Sequence, residues 1–181
     1  MDIDILSLLK KRRSIRKYKG VKVEQEKIDQ IVEAALLSPS SHANYPWRFI
    51  VVEDNNTLSK LSLSKIHGAN FLSDSPLAIV VTADQNQSDV WIEDASIAAT
   101  HIMLTAHSLD LGSCWVQIRK RMATNTETSE EYIKKLLNIP ENINVLSIIA
   151  IGYPDEKKEP RNKSQLLYKS VFHKRFGKHY K

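Results

Sequence analysis

The segment at residues 88–109 restricts the fold of this chain most, because it is apolar along two sides at helical spacing. A helix with two apolar sides has to be covered on both of them, so one side is expected to pack on the chain's own sheet. The second side is then available to another subunit. The first stripe comprises Ile92, Ala95, Ala99, Ile102, Met103 and Ala106, and the second comprises Ile97 and Leu104.

Shorter periodic segments surround this helix. Residues 24–37 have helical spacing, and Ser38-Pro39 ends that helix because the residue before proline avoids the α region. Residues 77–82 form a continuous apolar run, typical of a strand covered on both faces. The order of elements indicates an α+β fold in one domain, residues 1–181, with helices around a small sheet. Further helices are predicted at 4–13, 57–65 and 129–137, the last with Ser129 as N-cap, and further strands at 49–52, 111–116 and 145–151.

The charges are distributed unevenly along the chain. Residues 1–22 carry eight Lys/Arg and two acidic residues, and residues 157–181 carry nine Lys/Arg and one acidic residue. Residues 23–156 between them carry nine Lys/Arg and eighteen acidic residues. Two basic ends on an acidic body are either solvated tails or jointly bind an anion.

Several classes of protein are excluded or disfavoured by composition. No apolar run approaches the roughly 20 residues of a membrane span, so no membrane association is expected. The one cysteine, Cys114, cannot form an intramolecular disulfide, which favours a reducing cytoplasm. No Cys/His set has the spacing of a structural zinc site, so no metal is predicted. The glycine-rich loops of dinucleotide and nucleoside triphosphate folds are absent from the sequence.

The run from Arg12 to Tyr18 is the first candidate for ligand binding. In an extended segment, side chains two positions apart point the same way, so Arg12, Ser14 and Arg16 would share one face. Two guanidinium groups and one hydroxyl can donate several hydrogen bonds to a phosphate. The alternative is a solvated surface segment.

Three further segments could carry function. Residues 38–49 include a loop that two prolines stiffen and that leads into a strand, and rigid loops of this kind often hold ligands. The alternative is an ordinary connection between a helix and a strand, with Trp47 in the core. In residues 111–119, Gly112 permits a close approach of backbone, and Cys114 is interpreted as a small buried hydrophobic residue rather than a nucleophile. Arg161 and Lys163 form a basic pair in the C-terminal arm.

Taken together, these segments resemble the nitroreductase family of flavin enzymes. The matching stretches follow family order and cover essentially the whole chain. They are RRSIRKY, the loop from Ser38 to Trp47, FIVVED, WIEDASIAA, LGSCWVQIR and IIAIGYP with the basic arm (154–181) after it.

The resemblance implies an FMN-binding, nitroreductase-like α+β fold: a small central, mostly antiparallel sheet flanked by helices, in an intertwined homodimer with flavin sites at the interface. Arg12, Arg13, Ser14 and Arg16 would hold the FMN phosphate and ribityl chain, and the basic pair Arg161 and Lys163 would return to the same phosphate. The loop residues Pro39, Ser40 and Ser41 would reach the flavin of the other subunit, and Trp115, Val116 and Gln117 would lie along the isoalloxazine.

The resemblance further implies an FMN-dependent NAD(P)H oxidoreductase. A hydride would pass from NADH or NADPH to the flavin and then to a small-molecule electron acceptor, a nitroaromatic or quinone, by a ping-pong mechanism. The chemistry would occur on the flavin, so no catalytic side chain is predicted. Many relatives have Asn-x-Gln where this chain has Ala43-Asn44-Tyr45. Tyr45 is therefore placed in the substrate pocket, together with His67.

Two other functions remain open at this point. The chain could be a non-catalytic flavin-binding or sensing module of the same fold, in which Tyr45 blocks the acceptor. The basic ends would also permit a nucleic-acid binder, but the coverage of the family motifs disfavours it, and no nucleic acid is predicted as a partner.

Overall fold

The computed structural model describes residues 4–180, and its helices and strands follow the predicted order. The helices are α1 (Ile5–Lys11), α2 (Gln25–Leu36), α3 (Asn55–Ser62), α4 (Trp91–Ser108) and α5 (Ser129–Leu137). The strands are β1 (Trp47–Val52), β2 (Leu77–Asp84), β3 (Gly112–Gln117) and β4 (Ile143–Gly152). Short 3-10 turns lie at Ser41–Ala43, Asn70–Asp74, Lys163–Gln165 and Tyr168–Ser170.

The four strands form one antiparallel sheet in the order β1-β2-β4-β3. In its register Val80 pairs with Ile50 on one side and with Ile148 on the other, and Ile148 pairs in turn with Val116. The predicted α+β fold with a small antiparallel sheet is confirmed. β1 and β3 are the two edges of the sheet, which decides where the parts of the functional site lie.

Helices cover the sheet on both faces. One face packs against α2 and α4 through residues such as Ile31, Ile79 and Ile102. The other packs against α3 and α5 through residues such as Leu58 and Val80. Successive residues of β2 point to opposite faces, so a strand covered on both sides is apolar at nearly every position. The prediction for residues 77–82 is confirmed.

The second apolar side of α4 is not covered by the described residues. Ile97 on that side is 38 % exposed. α1 has no buried residue and leaves Ile5 56 % and Leu6 61 % exposed. Between α1, α2 and α4 runs an apolar groove of about 370 Å³. We call this surface the open apolar face; the groove in it is lined by Ile5, Leu8, Ala34, Leu37, His101, Leu104, Thr105 and Ser108.

The start of α5 differs from the prediction. The N-cap is Thr128 rather than Ser129, because Thr128 and Glu131 form a capping box. The hydroxyl of Thr128 accepts from the Glu131 N–H at 3.1 Å, and the Glu131 carboxylate accepts from the Thr128 N–H at 2.9 Å. Ser129 is fully buried in the first turn instead.

Candidate functional site

The segment after α1 runs extended alongside β3. Ser14 pairs with Ser113 in a parallel bridge, and the Ile15 N–H donates to the Ser113 carbonyl at 3.0 Å. A Cβ at Gly112 would lie only 2.8 Å from atoms of the Ile15 side chain. Gly112 therefore permits the close approach that the sequence predicted, and this approach fixes the basic segment against the edge of the sheet.

The side chains of this segment contact different groups. Ser14 hydrogen-bonds the thiol of Cys114, and the charges of Arg16 and Arg12 act on the same thiol. Arg13 donates to the carbonyl oxygen of Glu159 and so connects this segment to the basic arm. Arg12 and Arg13 line the cavity described below, whereas Ser14 and the exposed Arg16 are not among its lining residues. The guanidinium carbon of Arg16 lies 5.9 Å from the centre of the Phe71 ring. The shared face of Arg12, Ser14 and Arg16 therefore stays a prediction from the sequence.

The basic arm returns to this segment from the other end of the chain. The Arg161 N–H donates to the Lys10 carbonyl at 2.9 Å, and Lys158 Nζ donates to the Ser14 carbonyl at 2.7 Å. Burial lowers the pKa of the Arg12 guanidinium, and the positive charge of Arg161 lowers it further. The two arginines therefore lie within electrostatic reach of each other although 149 positions separate them.

A cavity of about 250 Å³ lies where these segments meet. Among residues 4–180, none of Arg12, Arg13, Arg16 and Arg161 pairs with a carboxylate within 4.0 Å. The buried hydroxyl of Ser113, at the cavity wall, also has no hydrogen-bond partner in the described chain. Unpaired cations and an orphaned hydroxyl fit an anionic group such as the FMN phosphate. The cavity is lined by Lys11, Arg12, Arg13, Ile15, His107, Asp110, Leu111, Gly112, Ser113, Pro154, Glu156, Lys157 and Lys158.

Cys114 lies behind these arginines and is fully buried. Burial raises the pKa of its thiol, although Arg16 and the hydrogen bond from Ser14 oppose the shift. A thiol with a raised pKa stays protonated at neutral pH and is a poor nucleophile. The interpretation of Cys114 as a buried hydrophobic residue is confirmed.

Downstream of Cys114, the side chains of β3 differ in their surroundings. Trp115 is half-buried, and its Nε1 donates to Gln117 Oε1 at 2.9 Å, while Gln117 Nε2 donates to the Arg119 carbonyl at 2.9 Å. Val116 is buried in the core, so only its backbone is available to a ligand. Trp115 and Gln117 remain the residues whose side chains could contact a flat ring.

The proline-rich loop at residues 39–46 lies at the other edge of the sheet, before β1. The Ser41 N–H donates to Asp94 Oδ1 at 2.8 Å, and the Tyr45 N–H donates to Ser40 Oγ at 2.9 Å. Pro39 is exposed and Ser40 and Ser41 are half-buried. Three intervals between neighbouring strands separate the edges β1 and β3, about 14 Å at the usual strand spacing. One protomer therefore does not bring this loop to Arg12.

The remaining predicted residues lie in exposed positions. Tyr45 is 53 % exposed and touches the ring of Trp47, which is buried as predicted. His67 lies in the exposed turn after α3. Lys163 begins an exposed 3-10 turn of the basic arm.

Sequence reasoning missed three residues that organise the site. Asp94, buried at 2 % exposure, fastens the loop through Ser41. Glu156 accepts from the backbone of Arg16 at 2.5 Å, and Lys158 pairs with Glu156 at 3.2 Å. The available signal for Asp94 was an acid beside the apolar stripe of α4. The contacts of Glu156 and Lys158 with the basic segment carry no local signal, because Arg16 and Ser14 lie more than 130 positions away.

In residues 4–180 no helix has both the length and the apolar character to cross a bilayer. Nor do the histidine, cysteine and acidic side chains of the same residues gather into a group of three that could hold a metal ion.

Comparisons with known proteins agree with this geometry. The model of the Nitroreductase family matches residues 9–69 and 64–153. The solved structure of an FMN-dependent nitroreductase from Clostridium difficile R20291 is 51 % identical, covers 95 % of this chain and 100 % of its own, and has a TM-score of 0.94. A protein of Methanothermobacter thermautotrophicus provisionally named NADH dehydrogenase/NAD(P)H nitroreductase is 39 % identical over 88 % of this chain and 82 % of its own. The FMN reductase [NAD(P)H] of Bacillus subtilis is 27 % identical over 87 % of this chain and 70 % of its own.

Proposed function

Because this chain belongs to the nitroreductase family and is an FMN-dependent NAD(P)H oxidoreductase, we propose that it reduces electron-poor acceptors, nitroaromatics or quinones, by a ping-pong mechanism. The observation that carries the proposal is the return of the basic arm to the segment that contains Arg12: the Arg161 N–H bonds to the Lys10 carbonyl, and Arg12 and Lys158 line one cavity. Two like charges without a carboxylate partner lie close together at little cost when a dianion binds between them.

The phosphate end of FMN would be held by both ends of the chain. Arg12 and Arg16 offer guanidinium donors and Ser14 offers a hydroxyl, while Arg161 adds a further cation and Lys163 is available along the arm. Arg13 contributes indirectly, because its bond to the Glu159 carbonyl holds the arm beside the cavity. Guanidinium groups bind carboxylates and phosphates alike in pairs of hydrogen bonds, but a phosphate offers more oxygens and a second negative charge, so it can satisfy several of these cations at once.

FMN, when bound, would supply the electron transfer: NAD(P)H would give up a hydride and become NAD(P)⁺, and a quinone would gain that hydride's two electrons and one proton, with a second proton from water, to become a hydroquinone. The chain's own residues bind and orient. Trp115 and Gln117 would line the ring together with the backbone of Val116. Cys114 takes no part, because its pKa is raised by burial. Donor and acceptor would occupy the same place in turn, which is the basis of ping-pong kinetics.

A homodimer with flavin sites at its interface would complete the site. Pro39, Ser40 and Ser41 lie at the β1 edge and the arginines beside β3, so the loop would act in the site of the partner subunit. The open apolar face supports the same assembly, since exposed apolar surface of this kind marks interfaces. Tyr45 would reach the acceptor pocket with this loop. For His67 the pocket role remains a prediction from the sequence.

An absorbance experiment tests the proposal. The purified protein is expected to be yellow, to lose its flavin absorbance under argon when NADH or NADPH is added, and to regain it with menadione. One NAD(P)H should be consumed for each menadione reduced, and double-reciprocal plots at several menadione concentrations should be parallel. Intersecting lines would contradict the ping-pong mechanism.

The alternative function gives a different result in the same cuvette. A flavin-binding or sensing module would be yellow and would keep its absorbance in the presence of both nicotinamides. A colourless protein that does not bind added FMN would overturn the assignment of the cavity. A cytoplasmic location is part of the proposal, because the buried thiol of Cys114 needs no oxidising environment.

A further inference from the structure

The loop at residues 39–46 is strained. His42, Ala43 and Tyr45 have φ angles of 50°, 55° and 47°. Residues other than glycine avoid the left-handed region, and three of them within four positions form an uncommon concentration. Strain of this kind persists only where surrounding contacts impose it, and it concentrates at functional sites.

A buried carboxylate imposes this conformation. Asp94 is 2 % exposed, and its two oxygens accept from the Ser41 N–H at 2.8 Å and from the Ser88 hydroxyl at 2.8 Å. Ser40 then holds the far end of the loop by accepting from the Tyr45 N–H at 2.9 Å. A charged acceptor forms stronger hydrogen bonds than a neutral one, so the Asp94 anchor can offset backbone strain.

The strained loop presents one large side chain to the surface. The Tyr45 ring is 53 % exposed, and its edge-to-face contact with Trp47 has ring centroids 5.5 Å apart at an interplanar angle of 66°. Trp47 is buried and fixed, so it gives the Tyr45 ring a defined support. An exposed aromatic ring held at a set angle can pack on a second flat ring at low entropic cost.

The geometry points to Tyr45 as a specificity-determining residue, an aromatic wall that favours flat aromatic acceptors, and to Asp94 as the positioning residue that holds this wall in place. This inference rests on the proposed function, in which the loop reaches the acceptor pocket of the partner subunit. A polar side chain such as glutamine at position 45 would offer hydrogen bonds there and no flat apolar surface.

Ligand binding tests the wall without turnover. We would titrate the oxidised holoenzyme with 2-naphthoate, a flat ligand that it cannot reduce, and with cyclohexanecarboxylate, which is not flat, and follow the flavin absorbance. Tyr45→Leu is expected to raise the Kd of naphthoate about tenfold, the scale of one aromatic contact, with a much smaller effect on cyclohexanecarboxylate. Tyr45→Phe should keep the naphthoate Kd within about twofold of wild type.

Kinetics provide a second measurement. For Tyr45→Leu the ratio of kcat/KM for menadione to kcat/KM for ferricyanide should fall about tenfold, mostly through the KM of menadione. The matched control is Phe176→Leu, which removes a ring that is 90 % exposed in the basic arm and should leave the ratio unchanged. Equal loss with both acceptors, or no change in either the ratio or the naphthoate Kd, would overturn the inference.

The role of Asp94 is tested by coupling to Tyr45. Asp94→Asn should raise the naphthoate Kd in the wild-type background and have no further effect in the Tyr45→Leu background. Ser88→Ala removes one donor to Asp94 and provides a milder variant if Asp94→Asn does not fold. Additive effects would assign Asp94 a general structural role and overturn this part.

The outcomes also distinguish a failure of this inference from a failure of the proposed function on which it rests. A wild-type protein without FMN, or one that does not oxidise NAD(P)H, contradicts the proposed function itself. A wild-type protein that reduces menadione normally, with Tyr45→Leu behaving identically, contradicts the aromatic wall alone.

Discussion

Replacing Arg161 with alanine should weaken FMN binding and at the same time stabilise the protein that lacks FMN. The two effects have one cause. In the apoprotein the positive charge of Arg161 acts on the half-buried Arg12, and the two like charges repel. The pKa of the Arg12 guanidinium is lowered first by burial and second by this repulsion. When the phosphate dianion binds, both charges become attractive partners. The effect of Arg161 on the stability of the protein should therefore change sign between the apo and holo states.

The expected loss of FMN affinity depends on how exposed each arginine is. A hydrogen bond to a charged group contributes about 1.5–3 kcal/mol, or roughly 10- to 150-fold in Kd. Arg161 is exposed, so we expect the lower end, about tenfold, for Arg161→Ala. Arg12 is half-buried, so Arg12→Ala should reach the upper end, about 100-fold. Removing the repulsion between partly exposed charges should gain less than about 1 kcal/mol, a rise in apoprotein Tm of at most about 3 °C.

The assay uses apoprotein prepared by dialysis, titrated with FMN while the flavin fluorescence is followed, and thermal unfolding of the same samples. Lys169→Ala is the matched control, because it removes an exposed cation of the same arm. Raising the salt concentration should shrink the Tm difference between wild type and Arg161→Ala. An unchanged FMN affinity in Arg161→Ala, or a lower apoprotein Tm, would refute the reasoning.

Three further predictions test the packing. Gly112→Ala should destabilise the fold by about 1–3 kcal/mol in urea unfolding, because the new Cβ would meet the Ile15 side chain at 2.8 Å, whereas Gly20→Ala, with no atom within 4 Å, should be nearly neutral. Burial raises the pKa of the Cys114 thiol in the folded state. The stability that the protonated thiol contributes is therefore complete below the unfolded-state pKa of about 8.5 and is lost as the pH rises above that value. The free energies of unfolding at pH 8 and pH 9.5 should differ less in Cys114→Ala than in wild type. Ile97→Glu, on the open apolar face, should yield monomers in sedimentation velocity and lose FMN together with the dimer.

Most of the fold could be predicted because periodicity reports burial. The helix at residues 24–37 and the strand at 77–82 lie within two residues of the observed α2 and β2, since each is dictated by which side chains leave water. The second stripe of α4 was equally readable, and one protomer leaves it uncovered. The N-cap of α5 was misplaced by one residue because Thr128 and Ser129 are both good caps. The reciprocal bond to Glu131 decides between them.

The candidate site was readable only where the chemistry is local. Gly112 signals a close approach of backbone, and the basic run places Arg12 at the cavity. That Ser14 and Arg16 bind the same ligand stays a prediction from their spacing. The hydrogen bond from the Ser41 N–H to Asp94 could not be predicted, because a backbone group bonded to an acid 53 positions away leaves no pattern in the sequence. Positive φ angles in the loop were equally hidden, since neither Ala43 nor Tyr45 is a residue type that favours them.

In the proposed assembly, FMN binding and dimerisation would each remove an unfavourable feature of the isolated protomer. An isolated protomer keeps two unfavourable features: facing cations at the β3 edge and the open apolar face along α1 and α4. In the proposed assembly FMN would relieve the first and a second copy would cover the second. If the loop at residues 39–46 contributes to the partner's site, the flavin binds the pair better than it binds the single protomer. Flavin binding and dimerisation then strengthen each other by the same factor, as thermodynamic linkage requires.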